Sequence, residues 1–145
     1  MEEAMLSTHF SLEELLHSDL ATANGLDNTP SHLVLDNLRR LAQVLERVRH
    51  EVLHDQPLRI LSGYRGPVLN KTVGGSRNSA HLKGLAADFI CTGFGSPKQI
   101  CAAIALSTIE FDQLIVEFGR WVHLGLAPEG IAARRQVLSI NKQGS

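Results

Sequence analysis

The chain is poor in cysteine, carries no excess of either charge and contains no long apolar run. Its two cysteines, Cys91 and Cys101, form neither a C-x-x-C pair nor a disulfide framework. A thiol-redox motif and a cystine-stapled scaffold are therefore excluded. Cys91 sits among apolar neighbours and reads as a small core residue. Fourteen Lys and Arg against fifteen Asp and Glu leave a net charge of −1, which offers no basic field to nucleic acid. The pairs Arg39-Arg40 and Arg134-Arg135 read as solvated faces. No stretch of 18 apolar residues occurs, so no membrane span is expected. The start, Met-Glu-Glu-Ala-Met, lacks the basic and then apolar pattern of a secretory signal. Synthesis in the cytoplasm is expected, with any export by a route the sequence does not display. Internal repeats and low-complexity tracts are also missing.

What remains is the composition of a folded protein. A hydrophobic fraction of 43% and a charged fraction of 20% match globular chains and not disordered ones. One domain spanning residues 1–145 is expected, large enough to bury about 70% of its unfolded surface. Near-neutral charge and the absence of a heptad pattern favour a monomer.

Ser11 followed by Glu14 forms a capping box and predicts a short helix. Asp27-Asn28-Thr29-Pro30 is a loop signal. Val34, Leu38, Leu41, Leu45, Val48 and Val52 recur at helical spacing and predict a helix from about Ser31 to Leu53. Leu58 to Ser62 reads as a strand after Pro57. The glycine-bearing segment from Gly63 to Ser79 reads as one long polar loop, of a length that is usually functional or disordered. Leu85 to Cys91 reads as a buried strand, and Ser96-Pro97 opens a helix running to about Ser107. Gln113–Glu117 and Trp121–Leu126 read as a hairpin turned at Phe118-Gly119-Arg120, and Arg135 to Asn141 as a last strand. Helices first and strands paired late by short turns predict an α+β fold with a mostly antiparallel sheet packed against helices.

Asp88 interrupts an apolar strand. A buried carboxylate must be ion-paired, hydrogen-bonded or metal-bound, and Arg59 or Arg65 are possible ion-pair partners. His81, seven positions earlier, is joined to the strand through Gly84, where the chain can turn so that both side chains meet. In Trp121-Val122-His123-Leu124-Gly125, alternation sets His123 on the face opposite Val122 and Leu124. Two imidazoles, one carboxylate and a fourth position for water form an open ligand set that suits catalytic zinc better than calcium. Glu117, across the hairpin turn from His123, is the best candidate general base, although the position also fits a surface glutamate at a turn. Asp112 is a weaker candidate. Arg65 suits a bidentate clamp on a substrate carboxylate, or an ion pair with Asp88. Ser79 is placed either to orient the surroundings of His81 or to touch substrate.

Ser79-Ala80-His81-Leu82-Lys83-Gly84-Leu85-Ala86-Ala87-Asp88 resembles the S-x-H-x-x-G-x-A-x-D signature of the zinc D-Ala-D-Ala carboxypeptidase family. Trp121-Val122-His123 resembles its second motif, and Ser62-Gly63-Tyr64-Arg65 its upstream arginine motif. Phe10-Ser11-Leu12-Glu13-Glu14-Leu15 and Asn28-Thr29-Pro30 look like the small, phage-associated branch. The resemblance implies a hedgehog-like α+β fold, one zinc ion per chain held by His81, Asp88 and His123, and a peptidoglycan stem peptide as substrate. Cleavage would be that of a carboxypeptidase or of an endolysin-like endopeptidase. Glu117 and Arg65 become the expected catalytic pair, with Arg65, Ser79, Tyr64 and Trp121 around the substrate. Action on the cell wall would follow release or holin-type export, or occur within a phage particle. One departure stands out: many members carry an acid three positions before the last histidine, where this chain has Arg120. Its acid, Glu117, lies six before, a remove similar to that in the Hedgehog signalling domain. That relative shares the fold, so a zinc-containing wall-binding or phage structural protein without turnover is the alternative. A metal-free domain with Asp88 paired to Arg65 is another.

Overall fold

Ser11 starts the first helix as its sequence predicts. Its Oγ accepts the Glu14 N–H at 3.0 Å, and the Glu14 carboxylate accepts the Ser11 N–H at 3.3 Å. The computed structural model describes residues 4–75 and 78–141. Helices α1 (Leu12–Leu16) and α2 (Asp19–Ala23) lead into α3 (His32–Arg47), capped by Ser31 and continued by a π-helical turn, Val48–Val52. Leu38, Leu41, Leu45 and Val48 are fully buried along one stripe, so the spacing read from the sequence faces the core.

Strand β1 (Arg59–Ser62) follows, then helix α4 (Pro67–Thr72), a 3₁₀ turn (Ala80–Lys83), β2 (Ala86–Ile90), α5 (Pro97–Ala105), β3 (Gln113–Glu117), β4 (Trp121–Gly125) and β5 (Gln136–Ile140). The expectation of one unbroken loop from Gly63 to Ser79 is corrected by α4. Pro67 at its first turn has no N–H to satisfy and fixes a helical φ, and Leu69 supplies a buried anchor. Residues 76 and 77 of that segment lie outside the described residues.

The sheet runs β1-β2-β4-β3-β5. Three of its four pairings are antiparallel, and β5 lies parallel to β3. The reason is the connection. Residues 126–135 leave the end of β4 beside Gln113 and pass to the far side of β3, so β5 begins where β3 begins. Two arginines pin that crossing. Arg134 grips Asp112 through Nε and Nη2 (3.0 and 2.8 Å). Arg135 lies 4.5 Å over the Phe111 ring and donates to the Ala105, Ile109 and Ser107 carbonyls. Arg40 likewise reaches the Ala127 carbonyl. Of the two basic pairs expected to be solvated faces, Arg39, Arg134 and Arg135 are exposed even while bonded in this way, and Arg40 is half-buried.

Ala87, Phe89, Val122, Leu124 and Leu114 join the α3 and α5 side chains in one core. Strand alternation then sends Asp88, His123, Ile115 and Glu117 to the other face. The fold is thus α+β, as expected, and its sheet has one face packed and one face equipped. No helix among the described residues is long and apolar enough to cross a membrane.

Both cysteines are free and buried. Burial pushes the Cys101 thiol up to about 12 and raises Cys91 as well. The folded chain therefore holds these protons where the unfolded chain, with thiols near 8.5, releases them. The linkage has one sign: stability is complete below about pH 8.5 and falls as pH rises towards 12. Urea midpoints measured from pH 8 to 11 are expected to decline, and to decline less in Cys101→Ala; identical slopes in the two chains would contradict this.

Candidate metal centre

Three strand and turn elements deliver the donors. Asp88 and His123 are direct cross-strand partners on β2 and β4. His81 sits in the 3₁₀ turn, which Ser79 caps by accepting the His81 N–H at 3.2 Å. Gly84 ends that turn at φ 72°, and a Cβ there would stand 2.9 Å from the Val34 carbonyl oxygen. Only glycine suits both the left-handed backbone and the close approach, and this turn feeds the chain into β2 with Asp88 facing His81.

One donor atom from each of His81, Asp88 and His123 lies within 4.8 Å of the others, and all three residues are buried. His81 Nε2 is 3.2 Å, and His123 Nδ1 3.0 Å, from the same oxygen, Asp88 Oδ1. On its other side His81 Nδ1 stands 2.7 Å from the Gly63 carbonyl. A carbonyl only accepts, so Nδ1 carries a hydrogen, and Nε2 is the ring nitrogen turned at Asp88 and the one that would offer its lone pair to a metal. Burial favours a neutral Asp88, but the His81 charge and the hydrogen bonds from His123 and His81 outweigh it and hold the carboxyl well below the usual carboxylate range. The set is anionic, part nitrogen and part oxygen. Tetrahedral zinc with bonds of about 2.0–2.1 Å separates its ligands by about 3.3–3.4 Å, close to the spacings seen. The residues fit zinc.

Glu117 flanks this cluster. Its Oε1 is 3.7 Å from His123 Nδ1, and its Oε2 accepts the Trp121 indole N–H at 3.1 Å. Burial raises its pKa, the Asp88 charge adds to that, and His123, His81 and the indole N–H offset part of the rise. Asp112, the weaker candidate base, is set apart by its bidentate pair with Arg134.

Arg65 does not pair with Asp88, which is bound instead to the two imidazoles. Its Nη2 donates to Ser79 Oγ at 3.3 Å, and its buried Nε–H has no hydrogen-bond partner among the described residues. Burial lowers the pKa of this guanidinium, and the Asp88 and Glu117 charges counter that. Ser79 therefore both caps the His81 turn and steadies Arg65. Tyr64, expected to line the cleft, is 7% exposed and packs in the core. Trp121 is half-buried, and its polar atom is committed to Glu117.

Two contributors escaped the sequence reading. Gly63, besides binding His81, approaches α1 so closely that a Cβ would stand 2.4 Å from the Leu15 carbonyl oxygen; the following N–H, of Tyr64, donates to that same oxygen. Asn28 braces the arginine segment by donating to the Leu16 and Tyr64 carbonyls and accepting the Gly66 N–H at 2.7 Å. The glycine of the arginine motif and the likeness of Asn28-Thr29-Pro30 to the phage-associated branch were the available signals.

A buried His-Asp-His set on a sheet, with a carboxylate and a guanidinium beside it, is the equipment of a metal-dependent hydrolase. A family model described as Peptidase M15 matches residues 8–125, which include every residue of this cluster. The chain belongs to that peptidase family, the zinc D-Ala-D-Ala carboxypeptidase-like group to which its motifs pointed. Comparison with curated proteins gives no match.

Proposed function

We propose that this chain is a zinc-dependent peptidase that hydrolyses peptide bonds in the stem peptides of bacterial peptidoglycan, in the manner of the phage-associated members of its family. The observation that carries the reading is the convergence of His81, Asp88 and His123, with His81 Nε2 and His123 Nδ1 both turned at one carboxylate oxygen. These three residues hold the ion. When bound, zinc supplies Lewis acidity to a scissile carbonyl and makes water acidic near neutral pH.

The remaining roles belong to the chain. Glu117, its pKa lifted by burial, takes a proton from the attacking water at Oε1 and gives it to the departing amine nitrogen. Arg65 binds a substrate carboxylate, and its unused buried Nε–H together with its terminal nitrogens offers the fork that such a group fills. Ser79 fixes the angle of that fork. The preference is therefore for a peptide bond close to a free carboxylate, which stem peptides carry at their termini.

Zinc-loaded protein incubated with purified peptidoglycan tests this by mass spectrometry of the soluble products. New amino termini within stem peptides are expected. Release of single amino acids identifies a carboxypeptidase, and release of longer fragments an endopeptidase. Protein with one zinc per chain that leaves both peptidoglycan and free stem peptides intact would overturn the proposal in favour of a wall-binding protein without turnover.

A further inference from the structure

We infer that Trp121 is a positioning residue for Glu117, and that the strained tip of the β3–β4 hairpin exists to seat it. The inference rests on Glu117 being the base.

Glu117 and Trp121 are the last cross-strand pair of the hairpin, so their side chains share a face. The indole N–H donates to Glu117 Oε2 at 3.1 Å, which leaves Oε1 towards His123 Nδ1 at 3.7 Å. The two oxygens thus have separate tasks, one held and one free to exchange a proton. An indole N–H is a donor only and keeps its hydrogen at any working pH. It can fix the carboxylate without entering the transfer. Without it, the last torsion of a glutamate is broad, and both oxygens sweep past the site.

The tip shows a cost that this arrangement explains. Phe118 stands at φ 56° and Gly119 at φ 66°; they are the central residues of a β-turn closed by the Arg120 N–H on the Glu117 carbonyl at 2.9 Å, and Asn-Gly is the usual choice where both central residues are left-handed. A bulky side chain in the left-handed region is an outlier. Its ring packs edge-on against Trp121, with centroids 5.4 Å apart, and its N–H donates to the Ile140 carbonyl at 2.7 Å, fastening the tip to β5. Phe118 braces the indole, and the indole holds the carboxylate.

The chain contains one tryptophan, so the test can be made at a single atom. Global replacement of tryptophan by β-(3-benzothienyl)alanine puts sulfur where the N–H was and keeps the ring; Trp121→Phe is the genetic counterpart. Each zinc-loaded chain is assayed on soluble muropeptides by the amines released. Both replacements are expected to retain full zinc and an unchanged KM and to lose about tenfold in kcat, as a displaced proton-transfer group does. The loss should vanish when Glu117 is already glutamine. The lone indole ¹H–¹⁵N signal should move upfield in Glu117→Ala. Phe118→Asn, which suits the backbone and lacks the ring, should also lower kcat alone. A raised KM with parental kcat would make Trp121 a substrate contact and overturn the inference, as would an indole signal indifferent to Glu117→Ala. Parental kcat in Phe118→Asn would remove the tip from the account. Failure of the base reading is read separately, from parental activity in Glu117→Gln.

Discussion

Replacing His81, Asp88 or His123 by alanine removes bound metal and cleavage together. Each residue supplies one of three donors, and two donors leave a hydrated ion that dissociates readily; loss of an outer partner alone costs ligand sites about 10–100-fold in affinity, and loss of a donor costs more. The three substitutions differ in what they leave behind. His81→Ala strands the Gly63 carbonyl and removes a fully enclosed ring, so its melting temperature falls as well. Asp88→Ala takes away the oxygen that both imidazoles share, leaving His81 Nε2 and His123 Nδ1 without that partner. Asp88→Asn is the sharper variant, because it keeps the shape and deletes the charge. It is expected to fold, to lose zinc measured by metal analysis after gel filtration, and to release no amines from peptidoglycan. Normal zinc and full activity in any one of these chains would break the ligand assignment.

Glu117→Gln keeps zinc and loses about 10²–10⁴-fold in kcat. The amide still accepts the Trp121 N–H, so the geometry survives, while the capacity to take a proton does not. The expectation follows from placement: among the acidic side chains named here, Glu117 is the one poised beside the donor cluster without being a donor. Asp112→Asn is its control. That carboxylate is spent on Arg134 at the crossing into β5, so the substitution should lower stability and leave kcat at the parental level. A chain inactivated by Asp112→Asn and indifferent to Glu117→Gln would reverse the two roles.

The candidate metal donors were legible from local pattern. Asp88 sat where an apolar strand needed none, and His123 fell on the polar phase of an alternating strand. The periodic apolar positions of α3 and the two serine caps were legible for the same reason: their physics is local in sequence. What escaped depended on distance. No pattern within residues 63–79 announces that the Gly63 carbonyl will set the tautomer of His81, eighteen positions on. Helix α4 was hidden because a turn of six residues carries too few apolar positions to show a period. Tyr64 was read by its company in the arginine motif, whereas the Gly63 approach to α1 turns its ring into the core. The parallel placement of β5 depended on a ten-residue crossing pinned by Arg134 and Arg135, whose charges suggested only solvent.

X-ray absorption at the zinc edge of protein purified without chelators tests the central claim most directly. The account requires one zinc per chain with a shell of nitrogen and oxygen at about 2.0–2.1 Å and the multiple-scattering pattern of two imidazoles, falling apart in Asp88→Asn. A chain that purifies free of metal and refuses added zinc, or a shell containing sulfur at about 2.3 Å, would contradict it.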